Sequence, residues 1–596
     1  MNKLITGAVL AVAVVAGTVW TFSGDTPSRT TETNFTTAAL DSHSDHLALI
    51  PADTLFYIGS LEPVSAKDMM ASMSSMYQLA DPSMQPVMDE FFNKAESTGG
   101  KFAASLVNFF LAGMSDPQAT FEKTGAKDEL FSSVYSVGLM PVLRYEADKA
   151  RFDQFITQLE TDAQVSAITK ELNGVAYRSY PLTEGAPKAL NIIVAHHAGD
   201  AIFTLALADT EQQNLSIALG FQQPVESLKD SGTIQRIKNE YGYLPDSLGY
   251  LSVKQLVTAL TSNDNSAGKT LAALDSGNQD WLQEMRSPIC AAEFSGIADV
   301  WPRWVTGYRG LEYSEKGFSG EFHMAIEIKN AALNTTLQKI RGHLPADLTS
   351  GIPHIFSMAL GLDVNSLDEV LGEIAGHAEG LQYQCSLLQS LNGAADSING
   401  VRPMMAMSTG MARGLQGLRL SVFDIQGDLQ SGEVSDVDAM ISLSGDQVRG
   451  ILNMVMAMNP GGAIDIPADG SPVALPLPAE LMQGAATSIE AYLAVKDDHA
   501  VVFTGEAATA VQGKILDEPL NHDGFLFFSM DYGKYMKLAS AYMDVAAPTQ
   551  VANEQMQIDM EQFRKAFENI DYKEEVLMRF TAKGIELSGN IEINNQ

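Results

Sequence analysis

The sequence predicts an α+β fold: two related domains from an internal duplication, with largely antiparallel sheets and packed helices. Three observations predict it. Tyr313–Ile328 and Phe580–Ile593 both read as hairpins, with alternating apolar residues flanking a Lys-Gly turn at Gly317 and Gly584. Other anchors recur in the same order: Pro51-Ala-Asp with Pro345-Ala-Asp, Asp148 with Asp446, and Thr204 with Thr504, separated by 294, 298 and 300 residues. Strand-like and helix-like runs also alternate irregularly, with neighbouring hairpins, which favours α+β over a parallel sheet. The hairpin glycines are only 267 residues apart, so the second half is shorter before its last hairpin.

Taken in chain order, the N-terminus comes first. Lys3 precedes a mostly apolar run from Leu4 to Phe22 with Trp20 and Phe22 at its end, so residues 1–24 are expected to be a signal peptide or an N-terminal membrane anchor. Either places the body outside the cytoplasm. No cysteine follows this run, which excludes a lipoprotein-type acylated N-terminus. Residues 25–46 are rich in Ser, Thr and Asp and read as a flexible linker. His43 and His46 fall there, too few for a closed metal site.

The first domain is expected over 47–330 and the second over 331–596. Leu55–Ile58, Val175–Leu182, Leu190–His196, Ala201–Ala206 and Tyr250–Val253 read as strands, and Tyr135–Tyr145 as one strand-like run leading to a helix capped by Asp148. Glu90–Met114, Glu211–Leu219 and a stretch through Leu260 read as helices. In the second half, Val437–Leu443 leads to a helix start at Asp446, and Phe525–Met530 takes the place of Tyr250–Val253. Met556, Met560, Phe563, Phe567 and Ile570 line one face of a long acidic helix.

Composition narrows the partners. Net charge is −35 over 596 residues, which opposes binding to nucleic acid or to anionic headgroups. The chain has two cysteines, Cys290 and Cys385. In an oxidising compartment a disulfide between them is the economical reading, closing a loop for which chain-entropy models assign roughly 4–5 kcal/mol, with two separate buried thiols as the alternative.

Catalytic motifs fail one by one. Asn265–Thr270 imitates the end of a phosphate-binding loop, but Asn263 stands where the first glycine belongs; Ser266 and Lys269 satisfy Ser-x-x-Lys without the companion motifs, in surroundings that read as a loop. His196 and His197 are strand neighbours pointing to opposite faces. No cofactor is implied. Among 27 methionines, Met69, Met73 and Met76 fall at helical spacing, as do groups at 404–411 and 454–458. Such stripes are ordinarily core, and they also suit an adaptable apolar binding face.

Ile50-Pro-Ala-Asp-Thr-Leu-Phe-Tyr-Ile58, Tyr243-Leu-Pro-Asp-Ser-Leu-Gly-Tyr250 and Cys290-Ala-Ala-Glu-Phe resemble uncharacterised bacterial envelope proteins of the DUF3352 type. The resemblance implies a bacterial, exported protein and carries over no functional residues. The expectation is therefore a non-enzymatic periplasmic protein, tethered to the inner membrane, that binds an apolar ligand such as a lipid or an envelope protein partner. The alternative is an exported hydrolase whose site is assembled from distant loops.

Overall fold

The computed structural model describes residues 45–65, 96–112, 117–183, 190–207, 212–274, 280–314, 317–349, 351–428, 433–458, 464–476, 489–546 and 570–595. The chain divides into two compact units, Met1–Glu327 with Ile593–Gln596, and Ile328–Glu592. Both are α+β with antiparallel strands.

The first unit contains β1 (Phe56–Gly59), β2 (Val64–Ser65), β3 (Glu129–Leu130), β4 (Ser132–Val137), β5 (Met140–Glu146), β6 (Ile168–Leu172), β7 (Val175–Pro181), β8 (Leu190–His197), β9 (Asp200–Leu207), β10 (Leu248–Ser252), β11 (Arg303–Ser314) and β12 (Gly317–Glu327). Its main sheet runs β12-β11-β10-β1-β4-β5-β9-β8-β7-β6, antiparallel throughout. Helices Thr98–Ala112 and Lys149–Ala163 cover one face, burying Phe102, Val107, Phe152 and Phe155 against Val134, Leu143 and Phe203. Helices Gln212–Ala218 and Thr233–Tyr241 cover the other, where Tyr135, Tyr57 and Tyr250 form a buried row across β4, β1 and β10. Over β4, β5 and β9 both faces are closed, whereas Trp304 on β11 and Met324 on β12 are 45 and 37% exposed.

Local chemistry explains several boundaries. Asp148 caps Lys149–Ala163 by accepting from the Arg151 amide at 2.9 Å, and Phe152, Phe155, Ile156 and Leu159 then fall on one face at helical spacing. The run Tyr135–Tyr145 is a hairpin rather than one strand, because Gly138 turns the chain in the left-handed region at φ 61°. Ser266–Leu274 is a helix, not a loop. Asn265 accepts from the Gly268 amide at 2.8 Å and the Asp53 carboxylate from the Ser266 amide at 2.7 Å, so the imitation phosphate loop spends its first amide on its own chain. The β8–β9 turn holds Ala198 at φ 53°, a conformation that costs a non-glycine residue about 1–2 kcal/mol. Ala198→Gly is accordingly expected to stabilise the first unit by about 1 kcal/mol, read as a raised denaturation midpoint.

The second unit contains β13 (Phe356–Gly361), β14 (Leu415–Asp428), β15 (Glu433–Gly445), β16 (Val473–Leu475), β17 (Ala491–Lys496), β18 (His499–Thr504), β19 (Leu526–Asp531), β20 (Ile570–Thr581) and β21 (Gly584–Asn595). The order is β21-β20-β19-β13-β14-β15-β18-β17-β16. Counted from β13, it passes through the same succession of chain positions as the first sheet counted from β1, with no counterpart of β6 among the described residues. Helix Glu506–Asp517 covers one face, its first turn held by the Asp438 carboxylate, which accepts from the Ala507 and Ala508 amides at 2.7 and 2.9 Å. Two expectations are corrected here. Asp446 is not a cap: the helix starts at Val448, and the Asp446 carboxylate accepts from the Gln416 side chain at 3.1 Å. Ile570 begins strand β20 instead of ending a helix. Met556, Met560, Phe563 and Phe567 lie outside the described residues, as do residues 1–44.

Among the described residues, no helix is long and apolar enough to cross a membrane. Cys290 and Cys385 are both buried and disulfide-bonded, and no free cysteine remains.

Candidate binding face and buried polar networks

The second sheet turns its apolar side outward. Across β20, β19, β13, β14, β15 and β18, strand register lines up Val576, Phe528, Met358, Leu420, Ile441 and Val502 in one row. A second row, two residues along, holds Leu526, Leu360, Leu418 and Leu443. Met358, Leu418, Leu420 and Ile441 are 41, 40, 37 and 45% exposed, and the flanking members are half-buried. Aligned apolar residues of this kind, open over several strands, mark an interaction surface more often than chance exposure does.

The first unit shows what this position ordinarily looks like. There the row Ile58, Val134, Leu143, Phe203 and Val194 occupies the same strands, and Val134 and Leu143 are 3 and 2% exposed beneath the helical layer. In the second unit, helix Val448–Met458 covers the β17–β18 end, where Val448, Leu493, Val495 and Ala500 are buried. The centre is left open.

The other face of the same strands carries polar side chains inward. Arg419 donates to both Asp347 oxygens at 2.8 and 2.7 Å and from Nε to Ser421 Oγ at 2.7 Å; Ser421 in turn meets Ser357 Oγ at 2.7 Å. Ser357 also pairs in register with Ser529. His354 Nδ1 donates to the Ile352 carbonyl at 2.8 Å, which fixes the tautomer and leaves Nε2 to accept from Ser529 Oγ at 2.7 Å. This places a hydroxyl, a base and an orienting carbonyl in succession. Ser529 is nevertheless only 3% exposed, and its backbone lies in the ladder between β13 and β20, so its own amide is not free to hold an oxyanion. Ser529, Ser357, Ser421, Arg419 and Asp347 are buried with their hydrogen bonds satisfied, and His354 is half-buried.

A second network surrounds His499. Its Nε2 donates to the Glu518 carbonyl at 2.9 Å, and Nδ1 accepts from Ser444 Oγ at 2.9 Å. Close by, His343 Nδ1 accepts from the Asn521 amide and Nε2 donates to Glu518 Oε1, each at 3.1 Å. Burial lowers the pKa of His354, and burial followed by neighbouring His343 lowers that of His499, so each binds its proton less readily in the folded than in the unfolded state. An unfolded histidine takes up its proton near pH 6.5, so below that value the unfolded state binds more protons and stability declines as pH falls. The expected result is a lower urea midpoint at pH 5 than at pH 7.5. His354→Gln with His499→Gln should flatten that dependence, each unit of pKa separation being worth about 1.4 kcal/mol.

The residues singled out from sequence meet different fates. Met69, Met73 and Met76 lie outside the described residues. Met404 and Met407 stand exposed on helix Ala394–Thr409, at 61 and 77%, rather than in a core. His196 meets the Ala147 carbonyl at 2.9 Å while His197 packs on Phe221, as opposite faces require. His46 belongs to the short helix Asp45–Ala48, 3.8 Å from the Asp200 carboxylate, and not to a tether. Among the described residues no group of three His, Cys, Asp or Glu side chains is placed to hold a metal ion.

No protein-family model, no curated protein and no solved structure matches this chain.

Proposed function

We propose that this is a non-enzymatic bacterial cell-envelope protein of the periplasm, held at the inner membrane by its N-terminal segment, that binds an apolar ligand or a protein partner. The observation that supports the reading is the open row Met358–Leu420–Ile441, whose counterpart in the first unit is buried. Internal duplication belongs to the same proposal. It is supported by the matching strand orders, by the Tyr135–Tyr57–Tyr250 row standing where the second unit has Ser421–Ser357–Ser529, and by left-handed turn residues at Ala198 and Asp497 in corresponding hairpins. Those hairpins set Thr204 against Phe503, one residue from the Thr504 match. The DUF3352-type resemblance points to the same compartment.

The test is binding of a neutral solvatochromic dye such as Nile red to dilute protein, wild type against Leu420→Asp/Ile441→Asp. Both positions are partly solvated, so the melting temperature should change little, whereas dye binding should fall about tenfold or more, on the order of 1.4 kcal/mol. Undiminished binding by a folded variant would remove the face from consideration.

The hydrolase reading has one observation in its favour, the Ser529–His354 pair. A fluorophosphonate probe should leave Ser529 unlabelled in the native protein; stoichiometric labelling abolished by His354→Gln would establish the hydrolase instead.

A further inference from the structure

The second unit exposes two apolar surfaces that suit each other. One is the sheet face. The other is helix Ala394–Thr409, where Val401, Met404 and Met407, spaced three residues apart, are 43, 61 and 77% exposed. This helix pairs with helix Leu367–Glu379, both supplied by the connection from β13 to β14. In the first unit the connection from β1 to β4 supplies helix Thr98–Ala112, which lies on its own sheet with Phe102 and Val107 buried. The equivalent connection thus yields a helix with its apolar side outward, and among the described residues no helix covers the centre of the sheet.

We propose that this cover is a second copy of the chain: Val401, Met404 and Met407 of one protomer seat on Met358, Leu420 and Ile441 of the other, and reciprocally. The proposal rests on the reading of the sheet face as a docking surface and names its occupant. Dimensions agree. Helix Ala394–Thr409 has 16 residues, about 24 Å at 1.5 Å per residue, and six strands spaced roughly 4.8 Å apart span about the same distance. Each surface offers a few hundred Å² of exposed apolar area, and a two-fold arrangement counts both surfaces twice, on the order of 1,000 Å², the lower bound for a specific interface.

Closure of the helix onto its own sheet is disfavoured by what holds it. Arg402 grips Asp368 through Nε and Nη2 at 2.9 and 3.0 Å, Lys339 meets Glu369 at 2.6 Å, and Thr336 donates to Glu373 at 2.7 Å. Cys385, between the two helices, is fixed by its disulfide.

Cross-linking between differently marked copies tests this. Met407→Cys protein is mixed with Ile441→Cys protein and treated with a short bis-maleimide; both native cysteines are already bonded and do not compete. The expected result is a cross-linked pair that requires both variants. Sedimentation velocity should show a wild-type dimer at micromolar concentration and a folded monomer for Met404→Asp/Met407→Asp. Wild type that stays monomeric, or a cross-link formed only within a chain carrying both cysteines, overturns the proposal. Monomeric wild type that still binds Nile red through the face would leave the binding reading intact; monomeric wild type that binds none would remove both.

Discussion

Arg144→Ala is expected to destabilise the first unit by about 3–5 kcal/mol, the usual cost of stranding a buried charge. Arg144 is fully buried on β5, donating to Asp200 Oδ2 at 2.8 Å, to Tyr135 Oη at 3.2 Å and to the Ala218 carbonyl at 3.0 Å. Without it, the Asp200 carboxylate remains 4% exposed, with His46 at 3.8 Å as the nearest cation it could recruit. Chemical denaturation measures the loss. Asp200→Leu added to Arg144→Met should recover much of it, because removing both partners leaves no unpaired charge.

The same substitution in the two units should have opposite outcomes. Leu143 and Ile441 occupy corresponding rows, at 2 and 45% exposure. Leu143→Asp puts a carboxylate among Val134, Phe203 and Phe152, and a cost above about 4 kcal/mol is expected, most of the stability of a unit at the low end of the usual range of about 5–15 kcal/mol. Ile441→Asp should lie within about 0.5 kcal/mol of wild type in dilute protein. Circular dichroism melts of the two variants settle the comparison.

Much of the fold is legible in the sequence because its signals are local. Gly317 and Gly584 do open the second strands of long neighbouring pairs, β11–β12 and β20–β21, and the strands β7, β8, β9 and β10 and the cap at Asp148 follow from period and residue type. Local signals also mislead. The two-residue turn at Gly138-Leu139 sits inside an unbroken apolar run, which hides it. The N-cap at Asn265 was readable, but its polar neighbours resembled a loop.

The open apolar face was illegible for a deeper reason. In Phe356-Ser-Met-Ala-Leu360 and Leu418-Arg-Leu-Ser-Val422 the alternation is plain, and the ordinary rule puts Met358, Leu418 and Leu420 inside. The structure inverts it. Asp347 neutralises Arg419, and Ser357, Ser421 and Ser529 find polar partners, so the polar side is affordable in the interior and the apolar side is left outward. Asp347 lies more than seventy residues from Arg419 in the chain, beyond the reach of any local pattern.

The Met358 side of the second sheet is open, and methionine oxidation reads that exposure residue by residue. Met358 and Met440 sit on β13 and β15 of one sheet, at 41 and 1% exposure, while Met407 is 77% exposed. Native protein, kept dilute, is treated with hydrogen peroxide and each methionine followed by peptide mass spectrometry. Exposure governs the rate, so Met358 should oxidise nearly as fast as Met407 and roughly tenfold or more faster than Met440. Met358 oxidising as slowly as Met440 would contradict the open face.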